Sequence, residues 1–354
     1  MLEGLRVLEL ASVLAGPDVG MFFAELGAHV IKIENKHSGG DVTRKWKSAT
    51  EDKNASVSAY FSSVKYDKEF LFLDLKNESD RDRVYALVKD ADLVVANYKP
   101  GAAIKLGMDY SSLKKHNPHI IYGEINGYGE KNKRAAYDVV LQAETGFMSI
   151  NGTPESGPIK MPVALIDVFA AHQLKEGLLL ALLQKERTGK GAFVEVSLYD
   201  AALSSLKNQA TNWLMNHFVP QRIGSIHPNI APYGETFKTK DNRYLVLGIG
   251  SDEHFHLLLD ILGAEELKEH ESYLTNQLRV INRKALDEAL QPYFEQNNAT
   301  ELMTQFLECN IPVGLIKTID EVFADDSALD LVLEEEIDGI LTRRVKTAVF
   351  KISD

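Results

Sequence analysis

The chain has 354 residues, of which 45% are hydrophobic and 25% are charged, and its formal net charge at pH 7 is −12. This composition is typical of a globular protein and excludes the disordered and fibrous classes. The acidic balance argues against a nucleic-acid partner, and the single cysteine, Cys309, excludes an intrachain disulfide framework and a cysteine-built metal site.

The first 200 residues alternate between strand and helix patterns. Strands are predicted at 6–10, 29–34, 70–75, 92–97, 119–125 and 193–198, and helices at 17–26, 78–89, 111–116 and 167–186. Short β-rich runs separated by helices are typical of βαβ units, so we expect an α/β fold with a parallel sheet covered on both faces. After about residue 220 the pattern predicts a hairpin, 235–238 with 244–247, and helices near 252–262, 283–292 and 299–307.

The length predicts two domains. We expect a large α/β domain at 1–205, a linker at 206–225, a small α+β domain at 226–325 and a return segment at 326–354 that runs toward the large domain. The chain opens directly into a strand pattern without a basic leader, and its longest apolar stretch, 161–183, is interrupted by charged residues. These features predict a cytoplasmic protein without a membrane span.

The opening strand–helix–strand unit has some features of a dinucleotide-binding motif. It ends in Glu34, an acid at the end of the second strand. Its loop, however, has Gly16 and Gly20 with Pro17 between them instead of G-x-G-x-x-G, which argues against NAD. There is no P-loop, H-E-x-x-H or G-x-S-x-G motif. The close pairs His116 with His119 and His254 with His256 each lack a third clustered ligand, so no metal site is predicted.

Several short motifs follow one another in a fixed order. They are Ala15-Gly-Pro17, Leu26-Gly-Ala-His-Val-Ile-Lys-Ile-Glu34, Gly39-Gly-Asp41, Leu73-Asp-Leu-Lys76, Asn97-Tyr-Lys-Pro-Gly101, Asn126-Gly-Tyr-Gly129, Tyr137-Asp138, Asp167 and Arg187-Thr-Gly-Lys-Gly191. Together with Ala231-Pro-Tyr-Gly234 and Ile311-Pro-Val-Gly314, their order and spacing resemble the family III CoA-transferases. That group contains formyl-CoA transferase, carnitine-CoA transferase and the 2-methylacyl-CoA racemases.

The resemblance implies that Asp167 is the catalytic carboxylate. From the residues alone, Asp167 lies where the long helix is predicted to begin, and Asp is a favoured N-cap, so capping and catalysis both stay open. A helix N-terminus favours the ionised carboxylate that attack on a thioester requires. The implied reaction passes through an acyl anhydride and an aspartyl-CoA thioester. Coenzyme A is then a substrate, and neither a metal nor a redox cofactor is expected.

The same resemblance implies contacts with coenzyme A at seven positions, namely Val13, Leu73, Lys76, Asn97, Tyr98, Lys105 and Tyr137. Lys76 and Lys105 suit the phosphates as point charges, with solvated surface lysines as the equal alternative. The segment 248–251 resembles a glycine loop over the active site less closely than it resembles an ordinary strand end. The resemblance also implies a Rossmann-like CoA-binding large domain, an acyl-CoA and a small carboxylic acid as partners, and an interlocked homodimer with the active site between subunits.

Three alternatives within the family remain open. The racemases have a His-Asp pair where this chain has Tyr137-Asp138, and tyrosine, with a pKa of about 10, is a poor proton carrier for racemisation. We therefore expect transfer. Leu14 and Ala135 replace a polar residue and a lysine of formyl-CoA transferase, which argues against formyl or oxalyl substrates. The chain ends at Asp354, where family members continue, which leaves a CoA-binding but inactive homologue as a third alternative.

Overall fold

The computed structural model describes residues 1–129, 132 and 134–353, and the chain divides into two compact units. Unit 1 comprises Met1–Ser149, Lys160–Pro220 and Ser327–Asp354, and unit 2 comprises Ile150–Ile159 and Gln221–Asp326. The sequence places residues 150–159 in the large domain, whereas they group with unit 2. One reason is a backbone hydrogen bond of 2.9 Å from Gly224 N to Gly152 O, which joins this short segment to the rest of unit 2.

In the described residues the strands run in chain order from β1 to β11. They are β1 (Arg6–Leu10), β2 (His29–Asn35), β3 (Lys68–Leu73), β4 (Leu93–Ala96), β5 (Ile121–Asn126), β6 (Phe193–Ser197), β7 (Tyr233–Lys238), β8 (Tyr244–Gly248), β9 (Val313–Leu315), β10 (Val332–Ile337) and β11 (Ile340–Val345). The first six and the last two belong to unit 1, and β7 to β9 belong to unit 2.

The helices follow the same order. They are α1 (Ala15–Glu25), α2 (Ala59–Ser62), α3 (Glu78–Asp90), α4 (Ala102–Leu106), α5 (Tyr110–Leu113), α6 (Asp138–Glu144), α7 (Phe147–Ile150), α8 (Leu165–Thr188), α9 (Leu198–Ser205), α10 (Lys207–Asn216), α11 (Asp252–Leu262), α12 (Asn276–Ile281), α13 (Arg283–Glu295), α14 (Ala299–Glu308), α15 (Ile319–Val322) and α16 (Asp326–Leu329). Short 3₁₀ turns lie at Val42–Lys45 and Glu265–Leu267.

The sheet of unit 1 has six parallel strands in the order β3-β2-β1-β4-β5-β6, which confirms the predicted parallel α/β sheet. This is the strand order of a doubly wound, Rossmann-like sheet. In the centre, Val7 of β1 pairs with Val30 of β2 on one side and with Leu93 of β4 on the other. All three are buried, as strands covered on both faces require.

Two apolar cores cover the two faces of this sheet. Helices α1 and α8 pack on one face, where Val19 and Leu174 are fully buried. Helix α3 packs on the other face through Val84 and Val88. Side chains alternate between the faces along each strand, so that neighbouring residues of β1 enter different cores.

Two glycines allow α1 to lie close against the sheet. A Cβ atom at Gly16 would overlap the Cβ of Ala11, and one at Gly20 would overlap the carboxylate of Glu9. Because the two glycines are four residues apart, they lie on the same side of the helix. Their spacing therefore serves helix packing, and this accounts for a loop that departs from the dinucleotide-binding pattern.

Unit 2 contains the antiparallel sheet β7-β8-β9, and the predicted hairpin of β7 and β8 is confirmed. Its core includes Phe237 of the hairpin, which stacks on Phe294 of α13 with ring centroids 4.4 Å apart. The segment 248–251 forms the end of β8 and the cap of α11, where Ser251 Oγ accepts a hydrogen bond from His254 N.

The C-terminal part of unit 1 packs on α1. After the β10–β11 hairpin, the N–H groups of Thr347 and Ala348 donate hydrogen bonds to the carboxylate of Glu25. Phe350 also contacts Phe22 of the same helix, with ring centroids 6.2 Å apart. Within the described residues, no helix combines the length and the apolar character needed to cross a membrane.

Candidate active site

The candidate site lies at the carboxyl ends of the parallel strands in unit 1. The direction of winding reverses between β1 and β4, and open α/β sheets bind ligands at such a switch point. Asn97 joins the two loops there: its Oδ1 accepts a hydrogen bond from Ser12 N (2.8 Å), and its Nδ2 donates to Ser12 O (2.7 Å). The amide of Asn97 therefore fixes the loop that follows β1.

A cleft of about 490 Å³ opens among the loops after β1, β2, β3 and β4. We call it the switch-point cleft, and its volume lies in the range of pockets that hold small molecules and cofactors. Four of the seven predicted contact residues line it, namely Leu73, Lys76, Asn97 and Tyr98. Lys45 and Lys99 line it as well. These two lysines are not predicted from the sequence, because an exposed lysine near a loop has no distinguishing pattern.

The other three predicted contact residues do not line this cleft. Val13 directly follows a lining residue, Ser12, and donates its N–H to Asp41. Lys105 is exposed on α4, while two other residues of that helix, Ala102 and Leu106, face the cleft. Tyr137 occupies the N-cap position of α6 with 58% of its surface exposed. The structure therefore brings together four of the seven predicted residues.

Asp167 does not cap α8, which corrects the expectation from the sequence. The helix begins two residues earlier than predicted, Ala164 is its N-cap, and Asp167 lies within its first turn. Among the described residues, no donor hydrogen-bonds to its carboxylate. The carboxylate of Asp167 is thus not engaged by the helix and is available for chemistry.

A carboxylate from another helix satisfies the N-terminus of α8. Asp138, the first residue of α6, accepts a hydrogen bond from Ile166 N through Oδ2 (2.8 Å). Its Oδ1 accepts a second one from Gln142 Nε2 (2.6 Å). Asp138 therefore accepts a backbone N–H of the first turn of α8, as an N-cap residue would. This places its carboxylate close to Asp167.

The pKa of Asp167 is raised to about 7, first by burial and second by the negative charge of Asp138. The expectation that the helix N-terminus lowers this pKa and favours the ionised form is therefore wrong. Burial and a like charge outweigh the helix dipole here because the carboxylate lies largely away from solvent. A carboxyl group with this pKa is partly ionised at neutral pH and can act as a nucleophile or a base.

Tyr60 of α2 lies near the same carboxylates and is not predicted from the sequence. Burial raises its pKa, and the charges of Asp167, Asp138 and Asp41 raise it further, so its hydroxyl stays protonated near these three carboxylates. Its ring packs edge-on against Trp46, with centroids 5.0 Å apart. Tyr60 lies outside the family motifs, so the sequence carries no signal for it.

No metal site is apparent in the described part of the chain: there, no three His, Cys, Asp or Glu side chains are grouped so that they could hold an ion. Of the histidine pairs considered from the sequence, His116 stacks on Tyr85, and His119 Nδ1 lies 2.6 Å from Gly189 O. Stacking on a tyrosine and a backbone hydrogen bond therefore account for the positions of these two histidines.

Similarity to known proteins identifies the family of this chain. Residues 2–353 match the model of the family described as CoA-transferase family III. The chain belongs to this family. One relative, a succinate–glutarate CoA-transferase from Agrobacterium fabrum, is 36% identical over 98% of this chain and 88% of its own length. A human succinyl-CoA:glutarate CoA-transferase is 35% identical over 95% of this chain and 76% of its own length.

The fold of this family III member also matches a solved structure. A CAIB/BAIF family protein from Brucella suis superposes with a TM-score of 0.86 and 36% identity, covering 100% of this chain and 93% of that one. Relatives named as CoA-transferases, together with a match along the whole chain, identify an enzyme that transfers coenzyme A between acyl-CoA and carboxylates.

Proposed function

We propose that this chain is an acyl-CoA:carboxylate CoA-transferase in which Asp167 is the nucleophile. The observation that carries the proposal is the state of Asp167: its carboxylate is largely buried, lies outside the hydrogen bonding of the helix, and has a pKa of about 7. Such a group is ionised in a substantial fraction of molecules at neutral pH and poorly solvated, and both properties favour attack on a thioester carbonyl.

The proposed reaction proceeds through three covalent states of Asp167: a donor anhydride, a CoA thioester and an acceptor anhydride. Its carboxylate attacks the acyl-CoA carbonyl, a mixed anhydride forms, and the CoA thiolate leaves. The thiolate then attacks the aspartyl carbonyl, which forms an aspartyl-CoA thioester and releases the donor carboxylate. The acceptor carboxylate attacks this thioester, which forms a second mixed anhydride and releases the thiolate again. The thiolate then attacks the acceptor carbonyl of this anhydride, which gives the new acyl-CoA and restores the carboxylate of Asp167. Each step breaks one acyl bond and forms another, so no net proton or electron is required.

We propose that the switch-point cleft binds coenzyme A. Leu73 and Tyr98 offer apolar surface in the cleft, and Lys76, Lys45 and Lys99 offer cations for the phosphates. Val13, Asn97, Lys105 and Tyr137 stay candidate contacts from the family resemblance. Tyr137 directly precedes Asp138, the carboxylate beside Asp167. For this reason we assign Tyr137 a contact with the acyl group of the substrate instead of its nucleotide.

The relatives suggest which substrates to test first. The names of both relatives contain glutarate, together with succinate in one and succinyl-CoA in the other. Succinate and glutarate are short dicarboxylates. We propose a short dicarboxylyl-CoA as donor and a short dicarboxylate as acceptor. A homodimer is proposed with them, supported by exposed apolar side chains on α8 and α10, among them Leu180 and Leu214. The cytoplasmic location stays a prediction.

A direct assay tests the proposed function. The protein is incubated with succinyl-CoA and glutarate, and we expect glutaryl-CoA and succinate to form in equal amounts. In parallel, a 2-methylacyl-CoA is incubated in deuterium oxide. Deuterium at its second carbon without any exchange of CoA would identify a racemase, and bound CoA without turnover of any donor would identify an inactive homologue. Either result contradicts the proposal.

The rate of transfer should rise with pH through about 7. Only the ionised carboxylate attacks, and the pKa of Asp167 lies at about 7. Asp138→Asn removes one of the two causes of the raised pKa, so we expect the rise to move to lower pH. It should not reach the range of an ordinary aspartate, because burial is the larger cause.

The measurement for this prediction is kcat against pH for the wild type, Asp138→Asn and Asp18→Asn. Asp18 is a suitable control because it also contacts α8, through Lys175 Nζ (2.6 Å), but does not contribute to the pKa of Asp167. A shift of the pH profile in the control, or no shift in Asp138→Asn, would show that the charge of Asp138 does not set this pKa.

A further inference from the structure

The loop after β1 contains a residue in an unfavourable backbone conformation. Val13 has φ = +71°, in the left-handed region. A β-branched side chain is rarely found there, because its Cβ crowds the following carbonyl group. Such a conformation persists only where neighbouring groups hold it.

Three side chains hold three successive residues of this loop. Lys32 Nζ donates a hydrogen bond to Ala11 O (2.6 Å), and Asn97 bonds both backbone groups of Ser12. Asp41 accepts the N–H of Val13, at 3.1 Å from Oδ2 and 3.4 Å from Oδ1. Of these three contacts, only that with Asp41 acts on the strained residue itself.

Asp41 is in turn fixed from two sides. Its Oδ1 accepts hydrogen bonds from Thr43 N (3.1 Å) and Thr43 Oγ1 (2.8 Å), and its Oδ2 lies 3.3 Å from Lys32 Nζ. Lys32 is paired with Glu9 at 2.7 Å. The side chains of Asp41, Lys32 and Glu9 are almost entirely buried, so the charges are only weakly screened by water.

The held loop belongs to one part of the proposed site, and Asp41 connects it with the other part. Ala11, Ser12 and Asp41 line the switch-point cleft. Asp41 is also one of the three charges that act on Tyr60, and the other two are Asp167 and Asp138. A shift of the Val13 turn would therefore move the part of the cleft wall that Ala11, Ser12 and Asp41 form.

We propose that Asp41 is a positioning residue: by holding Val13 in its left-handed turn, it aligns the bound thioester with Asp167. This inference rests on the proposed function. Asp41 itself makes no covalent bond and transfers no proton in the reaction. Its contribution is to keep the cleft wall in the one geometry from which the thioester carbonyl can be attacked.

A double-mutant cycle tests the inference. In Asp41→Asn the amide has one oxygen and places an NH2 group near Lys32 and Thr43, so the hold on Val13 weakens. We expect kcat to fall by about tenfold or more, and KM for the acyl-CoA to change by less than about threefold. Val13→Gly should then raise kcat in the Asp41→Asn background, because glycine adopts φ = +71° without steric cost. In the wild-type background the same change should not raise kcat.

The matched control is Asp92→Asn. Asp92 also accepts a backbone N–H, from Arg6 (3.1 Å), and a lysine, Lys185 (3.0 Å), but it lies at the amino end of the sheet. We expect no rescue by Val13→Gly in this background. Thr43→Val, which removes one anchor of Asp41, gives a milder variant if Asp41→Asn does not fold. It should show a smaller loss of kcat and the same rescue.

Hydrogen exchange separates this inference from the proposed function, since it needs no turnover. We expect peptides that contain residues 11–14 to exchange faster in Asp41→Asn than in the wild type, and at the wild-type rate in Asp92→Asn. If the wild type transfers no CoA, the proposed function fails, and exchange alone still tests the hold on Val13. Unchanged exchange, or a Val13→Gly effect on kcat that is equal in both backgrounds, would overturn the inference.

Discussion

Replacing Asp167 by asparagine is expected to lower the rate of CoA transfer by at least about 10³-fold and to leave the affinity for CoA within about threefold. The amide has nearly the same size, but it cannot form the anhydride. The switch-point cleft, which is proposed to bind CoA, does not include Asp167 among its lining residues. The measurements are kcat for transfer and equilibrium binding of CoA. Transfer at more than about a tenth of the wild-type rate would contradict the nucleophile assignment.

The same variant should reveal the raised pKa through stability. A folded-state pKa of about 7 exceeds the unfolded value of about 4, so the folded protein binds the proton more tightly. Stability is then highest below about pH 4 and falls as pH rises from about 4 through 7, by on the order of 4 kcal/mol from this group. Asp167→Asn lacks this loss. We therefore expect it to be more stable than the wild type at pH 8, with a smaller difference at pH 5, in urea unfolding.

Replacing Glu9 by glutamine is expected to lower the free energy of unfolding by about 3–5 kcal/mol. Glu9 is fully buried and accepts hydrogen bonds from Lys32 Nζ and Lys68 Nζ, each at 2.7 Å. The change leaves Lys32 with Asp41 as its remaining ion-pair partner, at 3.3 Å. Lys68 then keeps hydrogen bonds only to the carbonyl groups of Pro17 and Val64. A neutral partner does not replace the lost charge.

The loss of stability in Glu9→Gln should depend on pH. Burial already lowers the pKa of Lys68, and Glu9 opposes that shift, so the substitution lowers the pKa further. A lysine whose folded pKa is depressed destabilises most at low pH, where it is forced to be charged. The stability deficit of Glu9→Gln should therefore shrink as pH rises.

Glu69→Gln is the matched control, since Glu69 is an exposed residue of β3 that pairs with His29. A surface pair of this kind contributes little, and we expect a change below about 0.5 kcal/mol. Urea unfolding of both variants gives the comparison. If Glu9→Gln lowers the free energy of unfolding by less than about 1 kcal/mol, Glu9 does not stabilise the two buried lysines, and the prediction is wrong.

The parallel sheet could be predicted from the sequence because its strands are short, strongly apolar and separated by helices. The strand 6–10 was predicted with the bounds that the structure has. The order of the strands and the switch point between β1 and β4 could not be obtained in this way. They depend on which strands pair, and periodicity along the chain carries no information about pairing.

The site was predicted through the family motifs, and local rules failed at its centre. Asp167 at the start of a helix pattern indicated a cap, whereas the cap function belongs to Asp138, which lies 28 residues before its donor Ile166. A contact of this kind arises only after folding. The upward shift of the Asp167 pKa depends on the same contact and on burial, so the sequence favoured the opposite direction.

The buried charges were also not predictable. Glu9 and Lys32 belong to strands that were correctly expected to be buried, but a charged residue in an apolar run usually marks a solvated face. Pairing across the sheet decides the matter, because the register places Glu9 directly opposite Lys32. Functional sites are where such conflicts between local and global preferences are expected.

The most direct test of the central claim is mass spectrometry of the intact protein exposed to succinyl-CoA, followed by peptide mapping. If Asp167 is the nucleophile, we expect a covalent acyl or CoA adduct on the peptide that contains Asp167, and its loss when glutarate is added. The adduct should be absent from Asp167→Asn. Transfer that proceeds with the adduct on a different peptide, or with an unchanged adduct in Asp167→Asn, would contradict the account.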